Sequence, residues 1–254
     1  MTAMFGPAFD AQWRRRFELY GRSSTKESDI SGWSDIGLSR RVDVFSHLLD
    51  SLDVAPGGTA LDVGCGAGTY CRLLAKRGHR VVGVDYSAPS LGHALQHDLQ
   101  GASRYAAADA YALPFSRSRF DLIVCIGVLQ TVANPERLLD EAVRVLQPGG
   151  LLIVEGLNTR SVAARLGRAR AALYRLPPRV RLYEPKHMER WLQARGLHTV
   201  KRVPIVLPPR AMPRILPLLD LVPVRRQTSP LTEAVAHSFL FVARLMTKSG
   251  ERTP

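Results

Sequence analysis

An α/β fold, a parallel sheet covered by helices on both faces, is predicted by three observations. Short apolar runs alternate with helical stretches through the first 155 residues; the runs are apolar on both faces; and a glycine-rich turn joins the first run to the helix after it. Taken in order, residues 1–35 mix Trp13, Phe17, Tyr20 and Trp33 with Arg and Ser without a clean period, predicting a helix followed by a loop. Residues 40–52 place Val42, Phe45, Leu48, Leu49 and Leu52 at helical spacing, so an amphipathic helix is expected there. Strands are then predicted at 59–63, 80–84, 103–107, 120–126 and 151–155, with helices at 69–77, 87–100 and 135–146 between them. Gln147-Pro148-Gly149-Gly150 reads as a turn that stops the last of these helices. Beyond Glu155 the rhythm changes. A basic Ala/Leu segment at 159–181 closes on Pro177-Pro178, a helix is expected at 186–195 before Gly196, and a strand at 198–207. The prolines at 208, 209, 213, 217 and 223 exclude one regular helix. Residues 236–245 read as a final buried strand.

The chain has 254 residues, 46% hydrophobic and 22% charged, a composition that folds around one large core and argues against disorder. Cys65, Cys71 and Cys125 form no pair at ligand or redox spacing, which excludes a disulfide scaffold and fits a reducing compartment. There is no run of about 18 apolar residues and no leader-like apolar stretch near Met1, so a cytoplasmic protein is expected. The net charge of +13 is asymmetric. Residues 1–150 carry 16 Lys/Arg and 16 Asp/Glu, whereas residues 151–254 carry 19 and 6. A basic back half points to an anionic partner or to an Arg-rich solvated surface.

The chemistry is concentrated in Leu61-Asp62-Val63-Gly64-Cys65-Gly66-Ala67-Gly68, a strand that runs into a glycine turn and then a helix. Glycines there allow a tight bend and let a ligand approach bare backbone. Gly68 is followed by Thr69 and Tyr70 rather than by Lys and Ser/Thr, so a phosphate-binding loop of nucleotide hydrolases is not supported. A dinucleotide fingerprint is not matched either, because Thr69 stands where its third glycine belongs. Two carboxylates complete the pattern. Asp85 ends the second strand about twenty residues past the first glycine, where an acid can accept both ribose hydroxyl protons. Asp109 ends the third strand and suits an adenine amino group. Each acid alone is more often a helix N-cap; three successive strand ends together define a nucleoside-binding edge.

Five segments, LDVGCGAG (61–68), VVGVDYS (81–87), AADAYALPF (107–115), FDLIVCIGVLQTV (120–132) and RVLQPGGLLIVE (144–155), resemble those of the class I S-adenosylmethionine-dependent methyltransferases in order and spacing. The resemblance is to the small-molecule branch, similar to ubiquinone and menaquinone biosynthesis methyltransferases with a methyltransferase type 11 domain. It implies a Rossmann-like, doubly wound, seven-stranded sheet with 236–245 inserted as an antiparallel last strand. It also implies S-adenosyl-L-methionine as methyl donor, S-adenosyl-L-homocysteine as product and no metal. By position it places the methionine end of the donor on Asp62, Gly64, Cys65, Gly66 and Gly68. The ribose falls to Asp85 with Tyr86 beside it, the adenine to Asp109 and Ala110, and the wall next to the methyl to Ile126 or Gly127. The single domain then divides into an N-terminal cap at 1–39, a cofactor-binding core at 40–156, basic and Pro-rich acceptor-side insertions at 157–235, and the last strand and tail at 236–254.

Methyl transfer from a sulfonium needs alignment and exclusion of water more than a protein nucleophile. A base helps where the acceptor is a phenol or alcohol, and His187 is the candidate, the alternative being an exposed histidine at a helix end. Leu129-Gln130-Thr131 departs from the His or Glu found there in many relatives. His93 and His97 have ligand spacing but no third partner, and Cys125 lacks a base, so neither a metal site nor a covalent nucleophile is expected. For the acceptor, a small hydrophobic or amphiphilic molecule is favoured. In this reading 157–182 and 203–235, with Leu166, Leu173, Leu176, Ile205 and Leu207, form a greasy lid bordered by arginines, and contact with an anionic membrane surface on the cytoplasmic face is an extension of it. The alternatives are an RNA methyltransferase using the basic half, although no Asn/Asp-Pro-Pro-aromatic motif follows the fourth strand, and a catalytically inactive interaction protein.

Overall fold

The computed structural model describes residues 5–52, 54, 56–177, 179–207 and 229–247. Three helices come first: α1 (Pro7–Ser23), the single turn α2 (Glu27–Ile30) and α3 (Asp35–Asp50). The α/β alternation follows, with β1 (Thr59–Val63), α4 (Thr69–Ala75), β2 (Arg80–Asp85), α5 (Ala88–His97), β3 (Ser103–Ala107), β4 (Phe120–Cys125), α6 (Pro135–Val145) and β5 (Leu146–Leu157). Then come α7 (Val162–Leu173), α8 (Pro185–Gln193), β6 (Leu197–Ile205), α9 (Pro230–Val235) and β7 (Ser238–Leu245).

The seven strands form one sheet in the order β3-β2-β1-β4-β5-β7-β6. β1 to β5 are parallel, and β7 lies antiparallel between β5 and β6. The expected inserted last strand is therefore present. Both faces of the central strands β1, β4, β5 and β7 are buried, which is why these strands read as apolar runs, whereas the edge strand β3 is largely exposed. On β7, Phe239, Phe241 and Ala243 pack with Leu139, Met188 and Leu192 on one face, while Leu240 and Val242 pack with Phe45, Leu48 and Leu74 on the other.

Two expectations change. The segment before α3 is not only loop: it contains α2, and α3 begins at Asp35 because Ser34 caps it, its Oγ accepting from the Gly37 amide at 3.1 Å. The 147–150 turn is instead the start of β5. Gly149 takes φ of +81° and the register against β4 shifts between Phe120 and Leu122, so the chain bulges and stays in the ladder. The proposed lid also differs. No residue of α7 is buried, and Leu166, Leu173 and Leu176 face away from the core; Ile205 is a core residue of β6; the rest of the Pro-rich segment lies outside the described residues. No described helix is long and apolar enough to cross a membrane.

Candidate active site

The parallel strands deliver their carboxyl ends to one edge, and the chain leaves β1 there in a left-handed bend. Gly64, Gly66 and Gly68 have φ of +73°, +51° and +77°, values that exclude ordinary side chains. The Gly64 and Cys65 amides donate to the Val84 carbonyl at 2.8 and 3.0 Å, locking the bend against β2. A Cβ at Gly64 would stand 2.3 Å from Val128 Cγ2, whereas one at Gly66 would meet nothing within 4 Å. The backbone is therefore packed from below and open above Gly66.

Asp85 closes β2 directly opposite. Its Oδ2 accepts from the Gly66 amide at 3.0 Å and its Oδ1 from the Ser87 amide at 2.8 Å. Burial raises this carboxyl, while the backbone donors oppose the rise. At Asp109 the balance is reversed. Burial pulls upward, but the Tyr111 amide at 2.9 Å, and Arg14 at 2.7 Å, together hold it below the usual carboxylate range. Each acid keeps further lone pairs for hydroxyl or amino donors.

These groups line one crevice, with Gly64, Cys65, Gly66, Asp85, Tyr86, Asp109, Ala110 and Ile126 of the expected residues on its walls, together with Gly127. Three others lie elsewhere. Asp62 is 1% exposed beneath the bend, accepting from the Cys71 thiol at 3.4 Å. Gly68 caps α4, its position pressed against the Tyr105 hydroxyl. His187 is exposed on α8, its ring packed on Trp191 and its Nδ1 3.5 Å from Arg190; it is outside the crevice walls because α8 turns Met188 and Leu192, not His187, toward the sheet. His93 Nε2 lies 2.8 Å from the Gly21 carbonyl and His97 Nδ1 lies 3.2 Å from Glu27 Oε1, and among the described residues no three metal-ligating side chains cluster.

Burial pushes the Asp62 carboxyl up to about 7, with the nearby Asp85 charge adding to the rise and the Cys71 thiol opposing it. An unfolded carboxyl titrates near pH 4, so between about pH 4 and 7 the folded chain holds the extra proton and loses stability as pH rises. Asp62→Asn removes that loss. Urea titrations at pH 5 and pH 8 are expected to show the variant gaining on the wild type at the higher pH; an equal difference at both would contradict the assignment.

The expectation of an N-terminal cap at 1–39 named none of the contacts by which that segment roofs the crevice. Phe5 just before α1 and Phe9, Trp13 and Phe17 on it, four residues apart, form a row of rings with successive centroids 4.9, 6.4 and 5.4 Å apart, and Trp13 and Phe17 line the crevice. Asp10 fastens the helix by accepting from the Ala133 amide at 2.6 Å and from the Tyr111 hydroxyl, and Arg14 by its pair with Asp109. Trp33 joins the wall from the turn after α2, its ring so close to Gly127 that a Cβ there would stand 2.5 Å from it.

Residues 61–154 match the model of a methyltransferase domain. A ubiquinone biosynthesis O-methyltransferase of Chelativorans sp. is 34% identical over 157 residues, 59% of this chain and 62% of that protein. One from Psychrobacter arcticus is 34% identical over 107 residues, 40% of this chain and 42% of that protein. The aligned part of the chain thus spans less than two thirds of these relatives' own length. Among solved structures, magnesium protoporphyrin IX methyltransferase from Synechocystis with bound S-adenosylhomocysteine superposes with a TM-score of 0.63 at 16% identity, covering 95% of this chain and 96% of that one. A chain from the complex of the Haloferax volcanii Trm112 methyltransferase activator with a methyltransferase gives 0.67 at 18% identity, covering 91% and 98%. The fold is that of the Rossmann-like methyltransferases. Within it, residues 61–154 are the part of this chain that is similar to a methyltransferase domain.

Proposed function

We propose that the chain is an S-adenosylmethionine-dependent methyltransferase acting on a small hydrophobic or amphiphilic acceptor. The observation that carries this reading is Asp85, whose two oxygens are aimed by backbone amides at the end of β2, facing a glycine bend that is open above Gly66. The donor set fits a nucleoside better than a phosphate. Carboxylates take hydroxyl and amino protons, and Thr69 and Tyr70 stand directly after the bend where a phosphate loop has its lysine, while Arg72 one turn on is held by the Ala67 carbonyl and Glu27. Asp85, with Tyr86, is assigned to the ribose, Asp109 and Ala110 to the adenine, and Gly64, Cys65 and Gly66 to the methionine end; Gly68 and Asp62 act from behind by shaping the bend. When bound, the donor supplies an electrophilic sulfonium methyl.

The chain's own part is to bind, orient and keep water out. Trp33, Leu38, Ile126 and Val128 give the acceptor side an apolar wall, and α1 closes the other side. His187 is exposed and not on the crevice wall, so it is assigned no proton transfer, and none of the wall residues is needed as a nucleophile. An acceptor with a large apolar part fits this lining. The ubiquinone biosynthesis relatives support the same direction for the substrate, and the apolar lining disfavours RNA. Incubation with methyl-labelled donor and a cell extract separated into lipid, small polar and RNA pools is expected to label the lipid or small-molecule pool. Label confined to RNA would reverse the acceptor assignment.

A further inference from the structure

Helix α7 is built the wrong way round for a soluble helix. Only Ala164 and Ala171 on it are even half-buried, while the large apolar residues point outward: Val162 is 55% exposed, Leu166 67% and Leu173 76%. With Ala169 these fall at positions i, i+4, i+7 and i+11, one continuous stripe along the solvent side. Arginines flank it, Arg165 and Arg168 on one side and Arg170 on the other. Beyond the helix the exposed Tyr174 and Leu176 extend the apolar surface.

The charge around the stripe is of one sign. Between Glu155 and Glu184 the sequence has seven arginines and no acid. Among the described residues no carboxylate lies within ion-pair distance of Arg165, Arg168, Arg170, Arg175 or Arg179; Arg160 alone of this group pairs with Glu184 and Glu233. A solvated surface helix needs no such stripe, and a phosphate-binding RNA face needs the arginines without the leucines. Together they form the pattern of a helix lying in a membrane interface, leucines in the acyl boundary and arginines at the headgroups.

The position suits that partner. α7 leaves the same carboxyl edge of the sheet at which the crevice opens, and the segment returns to the crevice rim. Trp13 Nε1 donates to the Arg179 carbonyl at 3.2 Å, and the Arg181 guanidinium lies 4.2 Å from the Phe5 ring centre and donates to the Ala133 carbonyl. A bilayer held on α7 therefore lies beside the site.

We propose that α7 docks the protein onto an anionic phospholipid bilayer. This goes beyond the transfer reaction and does not depend on it, so binding is measured without donor or acceptor. Flotation of the full chain with vesicles of phosphatidylcholine alone, and with about 30 mol% phosphatidylglycerol added, is expected to show at least tenfold tighter binding to the anionic vesicles, since each interfacial arginine contributes about fivefold. Binding should weaken in about 0.5 M salt. Leu166→Glu/Leu173→Glu is expected to lower vesicle binding about tenfold or more. The control Leu99→Glu, on a side chain 92% exposed elsewhere, should leave it unchanged. Unaltered circular dichroism and an unaltered urea midpoint show that the double variant is folded. Failure of the wild type to float with anionic vesicles, binding that the double variant retains, or preferential binding to an RNA hairpin that vesicles do not displace would each overturn the proposal.

Discussion

Arg41→Ala is expected to cost about 3–5 kcal/mol of folding stability, the cost of leaving one partner of a buried ion pair alone. Arg41 is 2% exposed and Glu155 is wholly buried. Arg41 Nε donates to Glu155 Oε1 at 3.0 Å, and its Nη1 donates to the Gly37 carbonyl at 3.0 Å. Ser238 adds a second donor to Oε1 at 2.6 Å, while Glu155 Oε2 has no protein partner. Removing the guanidinium leaves that carboxyl in an apolar layer with one neutral hydroxyl. The loss also reaches the crevice, because the Arg41 guanidinium lies 4.1 Å from the Trp33 ring centre and Trp33 presses on Gly127. Urea denaturation of wild type and variant measures the effect. A change below about 1 kcal/mol would mean the pair is dispensable, as exposed ones are.

Asp85→Ala is expected to weaken S-adenosylhomocysteine binding by about 1–3 kcal/mol, roughly tenfold to a hundredfold, through loss of charge-assisted hydrogen bonds to the ribose. The substitution also frees the Gly66 and Ser87 amides that the carboxylate holds, so the bend loses an anchor. Asp85→Asn separates the two contributions: it keeps the side-chain oxygen for one amide and loses the charge. An affinity for the asparagine variant between those of wild type and alanine variant is the expected order.

Much of this was legible in the residues, for physical reasons. β1 and β3 were read to the residue, at 59–63 and 103–107, because runs buried or paired in a parallel sheet are bounded by glycine and polar turns. The glycine bend and the acids at 85 and 109 were legible because each ends a strand, and parallel strands bring their ends to one edge. β5 was read to start five residues late because Pro148-Gly149-Gly150 serves equally as a turn or as a bulge within a ladder. A cap at 1–39 was expected, but how it is fastened over the crevice was illegible for another reason. Arg14 meets Asp109 across 95 residues of sequence, and Asp10 meets Ala133 across 123, contacts no local pattern encodes. The four-residue ring spacing of α1 was a usable signal for the helix, though not for where it lands. His187 was placed at the site because a histidine in the first turn of a helix, two residues after a proline, looks the same in sequence whether it faces a crevice or solvent.

At the centre of the account is a single claim: the ends of β1, β2 and β3 together hold one adenosyl ligand. Calorimetric titration of S-adenosylhomocysteine into the wild-type chain tests it most directly. Saturable heat at one ligand per chain, reduced in the Asp85 variants, is the predicted result. A folded wild-type protein that takes up no ligand, or binds it as tightly after Asp85→Ala, would contradict it.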